Sequence, residues 1–447
     1  MEKGFFDIFD IGYIYFSVGK GFEEFMNRKT DNFFAKSYFL GACNFIGKFF
    51  YFVFHSPFRF KKEIKKEKGY LIYGESVNNR NTLTPIVAQL KEDKVIPVLS
   101  QNSYPNWRAY WYALPHLIEL CQEIKKADSE KRSTIKQFFP KFWRMYGYPR
   151  WVSEMLDYYQ PSVVVMANDH LPLNRCIMHE ANTRGIPTIY VQHAAITDKF
   201  PPLEFTYSLL DGEDSFKKYD AKEGNSGQIY LTGGIRFDVI KDYPKVDLEK
   251  LIVGVAINLV DSERKVQDIC LEIKKRLGEK GNLVLRPHPQ MDLDHWNKWC
   301  EENCLDFSNA KEEPSFGFIS RITVLLANQS SIHLDAAMCR TPSVVVGFSE
   351  VSQADNYSFV KNGMVPKADN MEELFDLLDR LDSYKYDDEI VRYYNCSYKS
   401  SYEQHVSEMM ADLIEHISEN NVDAFNKKYS FRVIDSSSTR NVYKTRS

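Results

Sequence analysis

A chain of 447 residues exceeds what one ordinary core organises and suits two domains of roughly 150 to 200 residues each. With 44% hydrophobic and 26% charged residues it has the balance of a soluble globular protein, and a formal net charge of -4 removes any global electrostatic drive toward nucleic acid. Eight scattered cysteines without a C-x-x-C pair exclude a disulfide framework or a zinc ribbon and fit a reducing cytoplasm.

The N-terminal stretch "MEKGFFDIFD" mixes acids with aromatics and lacks the basic start of a cleaved signal. Residues 38–58, "YFLGACNFIGKFFYFVFHSPF", hold nine aromatics and one Lys, and "RFKKEIKKEK" at 59–68 follows with six basic and two acidic residues. Asn44, Lys48 and two glycines argue for a core or interfacial helix over a membrane span. We expect a helical extension over 1–68. Two uses fit it: packing on the first domain, or peripheral contact with an anionic membrane, which would place the protein in the cytoplasm at the inner face of the cell membrane.

From Gly69 onward short apolar runs alternate with amphipathic stretches, the pattern of an α/β layer. "GYLIYGES" and "KVIPVLS" read as strands around a capped helix, and 107–159 reads as helical. "PSVVVMANDH", "LPLNRCIMHEANTRG" and "IPTIYVQHA" then read as strand, helix, strand. A Gly- and Pro-marked stretch at 229–247 suggests the passage between domains. Beyond it, "LIVGVAIN", "GNLVLRPHP", "RITVLLANQ" and "TPSVVVGF" read as strands separated by helices, and 371–419 as helical. The expectation is two Rossmann-like doubly wound domains facing across a cleft, with boundaries at 69–245 and 246–385, C-terminal helices over 386–419 and a flexible tail over 420–447.

In parallel sheets ligands gather at the carboxyl ends of strands, so residues just past each apolar run are the site candidates. In the second domain these are Arg286 and His288 in "LRPHP", and Asn328, Ser330 and Ser331 in "LLANQSSIHLD". The serines fall at a helix start, where free N–H groups and the positive end of the dipole favour an anion, and together the five residues suit a diphosphate. In the first domain Asp169 and His170, and then His193, end consecutive strands, and a His or Asp there suits a general base. Walker and G-x-G-x-x-G patterns are absent, which argues against an ATPase or a dehydrogenase. Asp292 and Asp294 read as helix-capping residues, so no metal site is expected.

"LRPHP" followed by "LLANQSSIHLDAAMCRTPSVVV", with "YVQHA" upstream, resembles the CDP-glycerol glycerophosphotransferases of teichoic-acid synthesis. The same motifs are similar to the His-Pro and Ser-Ser motifs of bacterial sialyl-, polysialyl- and Kdo transferases, and the resemblance covers about 160–350. It implies a GT-B transferase in which Arg286, His288, Ser330 and Ser331 hold donor phosphates. His193 matches the histidine thought to act as base. Ala194 stands where Gly is usual, and Asp211 retains half of the acidic base motif of the sialyltransferases, which keeps Asp211 a further candidate. The implied activity moves a sugar or polyol phosphate from a nucleotide donor, cytidine-linked ahead of UDP-linked, to a glycan or lipid-linked glycan acceptor of the bacterial surface. No cofactor or metal is needed, and no nucleic acid is a partner. A UDP-sugar 2-epimerase, or an inactive scaffold or glycan-binding subunit, is the alternative.

Overall fold

The computed structural model describes residues 8–13, 15–16, 35–55, 69–99, 107–194, 196, 200–221, 223–349 and 354–445. The basic run 59–68 lies outside them. The chain divides into two compact units, one comprising Met1–Thr232 with Ser407–Arg446 and the other Gly233–Val406.

The first unit is built on an eight-stranded sheet. Its strands are β1 (Tyr70–Tyr73), β2 (Val95–Leu99), β3 (Val163–Met166), β4 (Thr188–Val191), β5 (Tyr207–Leu210), β6 (Gly227–Leu231), β13 (Phe431–Ser436) and β14 (Arg440–Thr445). They lie in the order β13-β14-β6-β5-β4-β3-β1-β2. All pairings are parallel except β13 with β14. Val163 through Met166 are fully buried because helices cover both faces, and so the strand reads as an unbroken apolar run rather than an alternating one.

The second unit holds a six-stranded, wholly parallel sheet in the order β12-β11-β10-β7-β8-β9. These strands are β7 (Leu251–Ile257), β8 (Gly281–Pro287), β9 (Asp306–Phe307), β10 (Val324–Ala327), β11 (Ser343–Val346) and β12 (Lys367–Ala368). Gly254 on β7 lets Phe318 and Ile322 close onto the sheet, since a Cβ there would come within 2.7 Å of the Phe318 ring. Two Rossmann-like domains are therefore present.

The units part after Thr232, inside the Gly- and Pro-marked stretch 229–247 and ahead of the expected boundary at 245, because residues 227–231 form β6 of the first sheet. Gly233 makes the turn with φ of 89°, in contact range of the Ser397 backbone, where any Cβ would clash. The stretch 420–447, expected to be a flexible tail, is ordered over residues 420–445. After helix Val422–Lys428 the chain forms the β13–β14 hairpin, with Val442 fully buried and the Tyr443 ring stacked on Tyr230 at 4.5 Å. Its polar composition hid it, because β13 is an edge strand exposed beyond Phe431. Helix Val406–Ser418 falls almost wholly within the first unit, so 386–419 is not one block.

The expected helix over 38–58 is observed as Tyr38–His55. Its inner face buries Gly41 and Phe45, and Phe45 stacks on Trp143 at 3.9 Å. Among the described residues no helix is long and apolar enough to cross a membrane.

Removing residues 431–447 takes Phe431 and Val442 from the core and bares the β6 edge. At ~1.5 kcal/mol or more per buried side chain, urea unfolding of the truncated chain is expected to show a loss of at least ~3 kcal/mol. An unchanged midpoint would mean that the hairpin does not hold this edge.

Candidate functional site

In the first unit the register sets Met166 of β3 beside Tyr190 of β4, and Val191 beside Leu209 of β5, so these strands end level. The residues that follow them cluster. Asn168 accepts hydrogen bonds through Oδ1 from the backbone N–H of His170 at 3.0 Å and of Leu171 at 2.7 Å, turning the chain into helix Pro172–Thr183. Asp169 is wholly buried. Its Oδ1 lies 2.9 Å from His170 Nδ1, and its Oδ2 accepts a 2.6 Å bond from the Tyr219 hydroxyl. A carboxylate only accepts, so His170 donates from Nδ1. The His170 ring is stacked on Phe200 at 4.4 Å.

His193, just past β4, belongs to the same cluster. Burial holds its imidazole below the usual range, Asp169 opposes this and His170 adds to it, which leaves His193 neutral at pH 7. Its Nδ1 is buried and has no hydrogen-bond partner among the described residues. Gln192 ties β4 to β5 by accepting the Asp211 N–H at 2.9 Å. The structure thus brings Asp169, His170 and His193 together, with Asp211 on the next strand end. With both oxygens engaged, Asp169 is placed to orient His170.

Two members of this cluster escaped the sequence reading. Tyr219 lies on helix Glu213–Asp220, which follows β5, a strand too short and polar at its margins to be recognised. Arg175 is buried; desolvation pushes its guanidinium down to about 10 while Asp169 pulls it back, and it pairs with Glu204 and the Pro202 carbonyl. A charge on the inward face of an amphipathic helix was the available signal.

In the second unit Ala256, Arg286, Ala327 and Val345 lie in register near the ends of β7, β8, β10 and β11. His288 accepts the Gln290 N–H at Nδ1 at 3.2 Å, which leaves its proton on Nε2 as a donor. Partial burial lowers its pKa, so the ring is neutral at pH 7. Ser331 is the exposed N-cap of helix Ile332–Met338 and makes no side-chain capping bond, and Ser330 Oγ lies 3.4 Å from the Ile332 N–H. Asp292 caps helix Leu293–Glu302 through the His295 N–H, as expected.

Arg286 and Asn328 are engaged inside the domain. The two terminal nitrogens of Arg286 donate to Ser308 Oγ at 2.7 Å and the Glu313 carbonyl at 2.8 Å, and Glu313 is itself held by Arg321. Asn328 donates to Asp261 Oδ1 at 2.8 Å and Ser349 Oγ at 2.9 Å, joining the ends of β7, β10 and β11. Burial raises the Asp261 pKa, opposed by the hydrogen bonds it accepts from the Asn258 N–H, the Asn328 amide and the Ser349 hydroxyl. Beside this brace lies a cavity of about 330 Å³ lined by Lys265, Gln329, Gly347, Ser349 and Lys367. Gln329 Oε1 is buried without a hydrogen-bond partner among the described residues. Among the described residues no group of three or more His, Cys, Asp or Glu is arranged to hold a metal ion.

No protein-family model matches the sequence, and no curated protein matches it. Among solved structures, the UDP-GlcNAc 2-epimerase from Neisseria meningitidis bound to UDP-GlcNAc is similar at a TM-score of 0.50 and 11% identity, over 79% of this chain and 100% of that one. The UDP-GlcNAc 2-epimerase from Methanocaldococcus jannaschii scores 0.47 at 10% identity, over 78% and 99%. The wall teichoic acid polymerase TagF scores 0.44 at 13% identity, over 86% and 98%. The fold is that of the two-domain GT-B class.

His333, one residue inside the Ser-Ser helix, is fully buried and contacts the Asn328 carbonyl at 3.0 Å through Nε2. Burial drives its pKa from 6.5 down to about 4. The fold therefore holds it neutral, and stability is complete above pH ~6.5 and falls as pH drops toward 4, where the unfolded chain takes the proton first. Between pH 7.5 and 5 this residue alone is expected to cost ~2 kcal/mol, read as the difference in urea-unfolding pH dependence between the native chain and His333→Gln.

Proposed function

We propose that the protein is a metal-independent transferase that moves a sugar or polyol phosphate from a nucleotide-activated donor to a hydroxyl of a bacterial surface glycan or its lipid-linked precursor. The observation that carries this reading is the pairing of Asp169 with His170 at 2.9 Å beside a buried, neutral His193, all beyond the ends of adjacent parallel strands. Such a cluster has the composition of a proton-accepting site. In this reading His193 takes the proton from the acceptor hydroxyl as it attacks, and His170, oriented by Asp169, is the second candidate for that base.

The donor is assigned to the second domain. The Nε2 proton of His288 and the backbone N–H groups at Ser330 and Ser331 meet the charge that grows on the departing phosphate, a role that oriented dipoles perform without a metal. Arg286 and Asn328 shape this site by bracing its loops. The nucleoside is assigned to the cavity beside Gln329. A cytidine-linked donor is preferred over a uridine-linked one because of the likeness of the His-Pro and Ser-Ser motifs to cytidine-dependent transferases. The nucleotide donor is a substrate, and no further cofactor is assigned.

Turnover of CMP-, CDP- and UDP-linked donors with a glycan acceptor, followed by product analysis, tests the reaction class; formation of the 2-epimer without transfer would assign an epimerase instead. His193→Ala is expected to lower kcat ~10²-fold or more with donor affinity by calorimetry unchanged. If His170→Ala abolishes turnover and His193→Ala leaves most of it, the base is His170.

Because burial lowers the His193 pKa, the base stays neutral in mildly acidic solution, and the acid limb of the kcat profile is expected below pH 6.5. His288→Ala is expected to weaken donor binding by ~10-fold, the value of one hydrogen bond to a charged group. Activity is expected to survive EDTA; loss restored by Mg²⁺ would contradict metal independence.

A further inference from the structure

Helix Tyr38–His55 has two apolar faces, and only one of them is used by the fold. The inner face packs Phe45 against Trp143 and Tyr110, and a Cβ on Gly41 would stand 2.9 Å from the Phe139 ring, so this side is closely fitted. The outer face presents Phe39, Ile46, Phe50, Tyr51 and Phe54, with Phe39 and Phe54 each 76% exposed. Positions 39, 43, 46, 50 and 54 step by three and four residues and form one stripe, in which Cys43 is also exposed. No charged residue interrupts it. The helix's one lysine, Lys48, lies off the stripe, with its ammonium held below the usual range by burial and by Arg144.

The surface continues beyond the helix. Phe49 stacks on Trp111 at 6.3 Å, and Trp111 and Ile118 are 55% and 72% exposed. Next to them lies a shallow cavity of about 650 Å³ lined by Trp111, Leu114 and Pro115, with Arg150 on its wall. Single exposed apolar side chains are ordinary, whereas a continuous aromatic face of this extent is characteristic of a surface that is covered in use.

We propose that this face lies in the headgroup region of a bilayer containing anionic lipid, with the helix parallel to the membrane surface. Its geometry suits that depth: 18 residues span ~27 Å along the axis, and among the described residues no helix is apolar enough to cross. Phe, Tyr and Trp side chains favour the interface between acyl chains and water. Charge complementarity selects anionic lipid over a protein partner. The exposed Arg150 side chain, 3.5 Å from Glu154, borders the apolar surface, and three residues after the helix the sequence reads "RFKKEIKKEK", six basic residues against two acidic.

Co-sedimentation of the full chain with vesicles tests this without any turnover, so its outcome is separate from that of the proposed activity. The native chain is expected to pellet with phosphatidylcholine vesicles containing one-third phosphatidylglycerol, less so at high salt, and weakly with phosphatidylcholine alone. The double variant Phe50→Ser, Phe54→Ser should reduce the bound fraction ~10-fold with an unchanged melting temperature, because both side chains lie outside the core. Val433→Ser, an exposed apolar position on β13, should bind as the native chain does.

Equal pelleting with neutral and anionic vesicles, or full binding by the double variant, overturns the proposal. A dimer in sedimentation velocity that the double variant abolishes, with no vesicle binding by the native chain, assigns the face to a second copy instead.

Discussion

The parallel register of the two sheets is the constraint on which the rest of this structure depends. Strands buried on both faces are dominated by apolar side chains, and Val163–Met166 and Val324–Ala327 are buried throughout. Most polar groups therefore gather at or just beyond the strand ends. Level pairing of Met166 with Tyr190, and of Ala256 with Ala327, turns residues remote in sequence into neighbours. A shift of one residue in either sheet would bury Asp169 or Asn328 against the wrong partners.

The loops at these ends are held by buried polar groups rather than by apolar packing. Asp169 engages His170 and Tyr219, Asn328 engages Asp261 and Ser349, and Arg286 engages Ser308 and Glu313. Each group loses water on burial and regains the loss only when its hydrogen bonds are satisfied, so each brace tolerates few arrangements.

The N-terminal helix obeys a different rule. Its inner stripe follows the usual logic of an amphipathic helix on a core, but the outer stripe is just as aromatic, so periodicity does not tell which side faces the protein. Gly41 decides it. The missing side chain at that position lets the helix approach Phe139, and the opposite face is left outward.

Much of the architecture was legible in the chain itself. Long apolar runs ended by polar residues determined β1, β3, β4, β7, β8, β10 and β11, because a strand buried on both faces is dominated by apolar side chains. The same runs marked Asp169, His170, His193, His288, Ser330 and Ser331 as strand-end residues. Tertiary structure alone decided what depends on distant partners. The β13–β14 hairpin is polar on its open side and acquires its place only by pairing with β6. Arg286 and Asn328 look the same in sequence whatever their partners, and only the structure shows Arg286 bonded to Ser308 and the Glu313 carbonyl and Asn328 to Asp261 and Ser349. Tyr219 reaches Asp169 across 50 residues of sequence. Local pattern specifies which segments must be buried, whereas the partners of a buried polar group are set by how the strands are ordered in the sheet, and that order is a property of the whole fold.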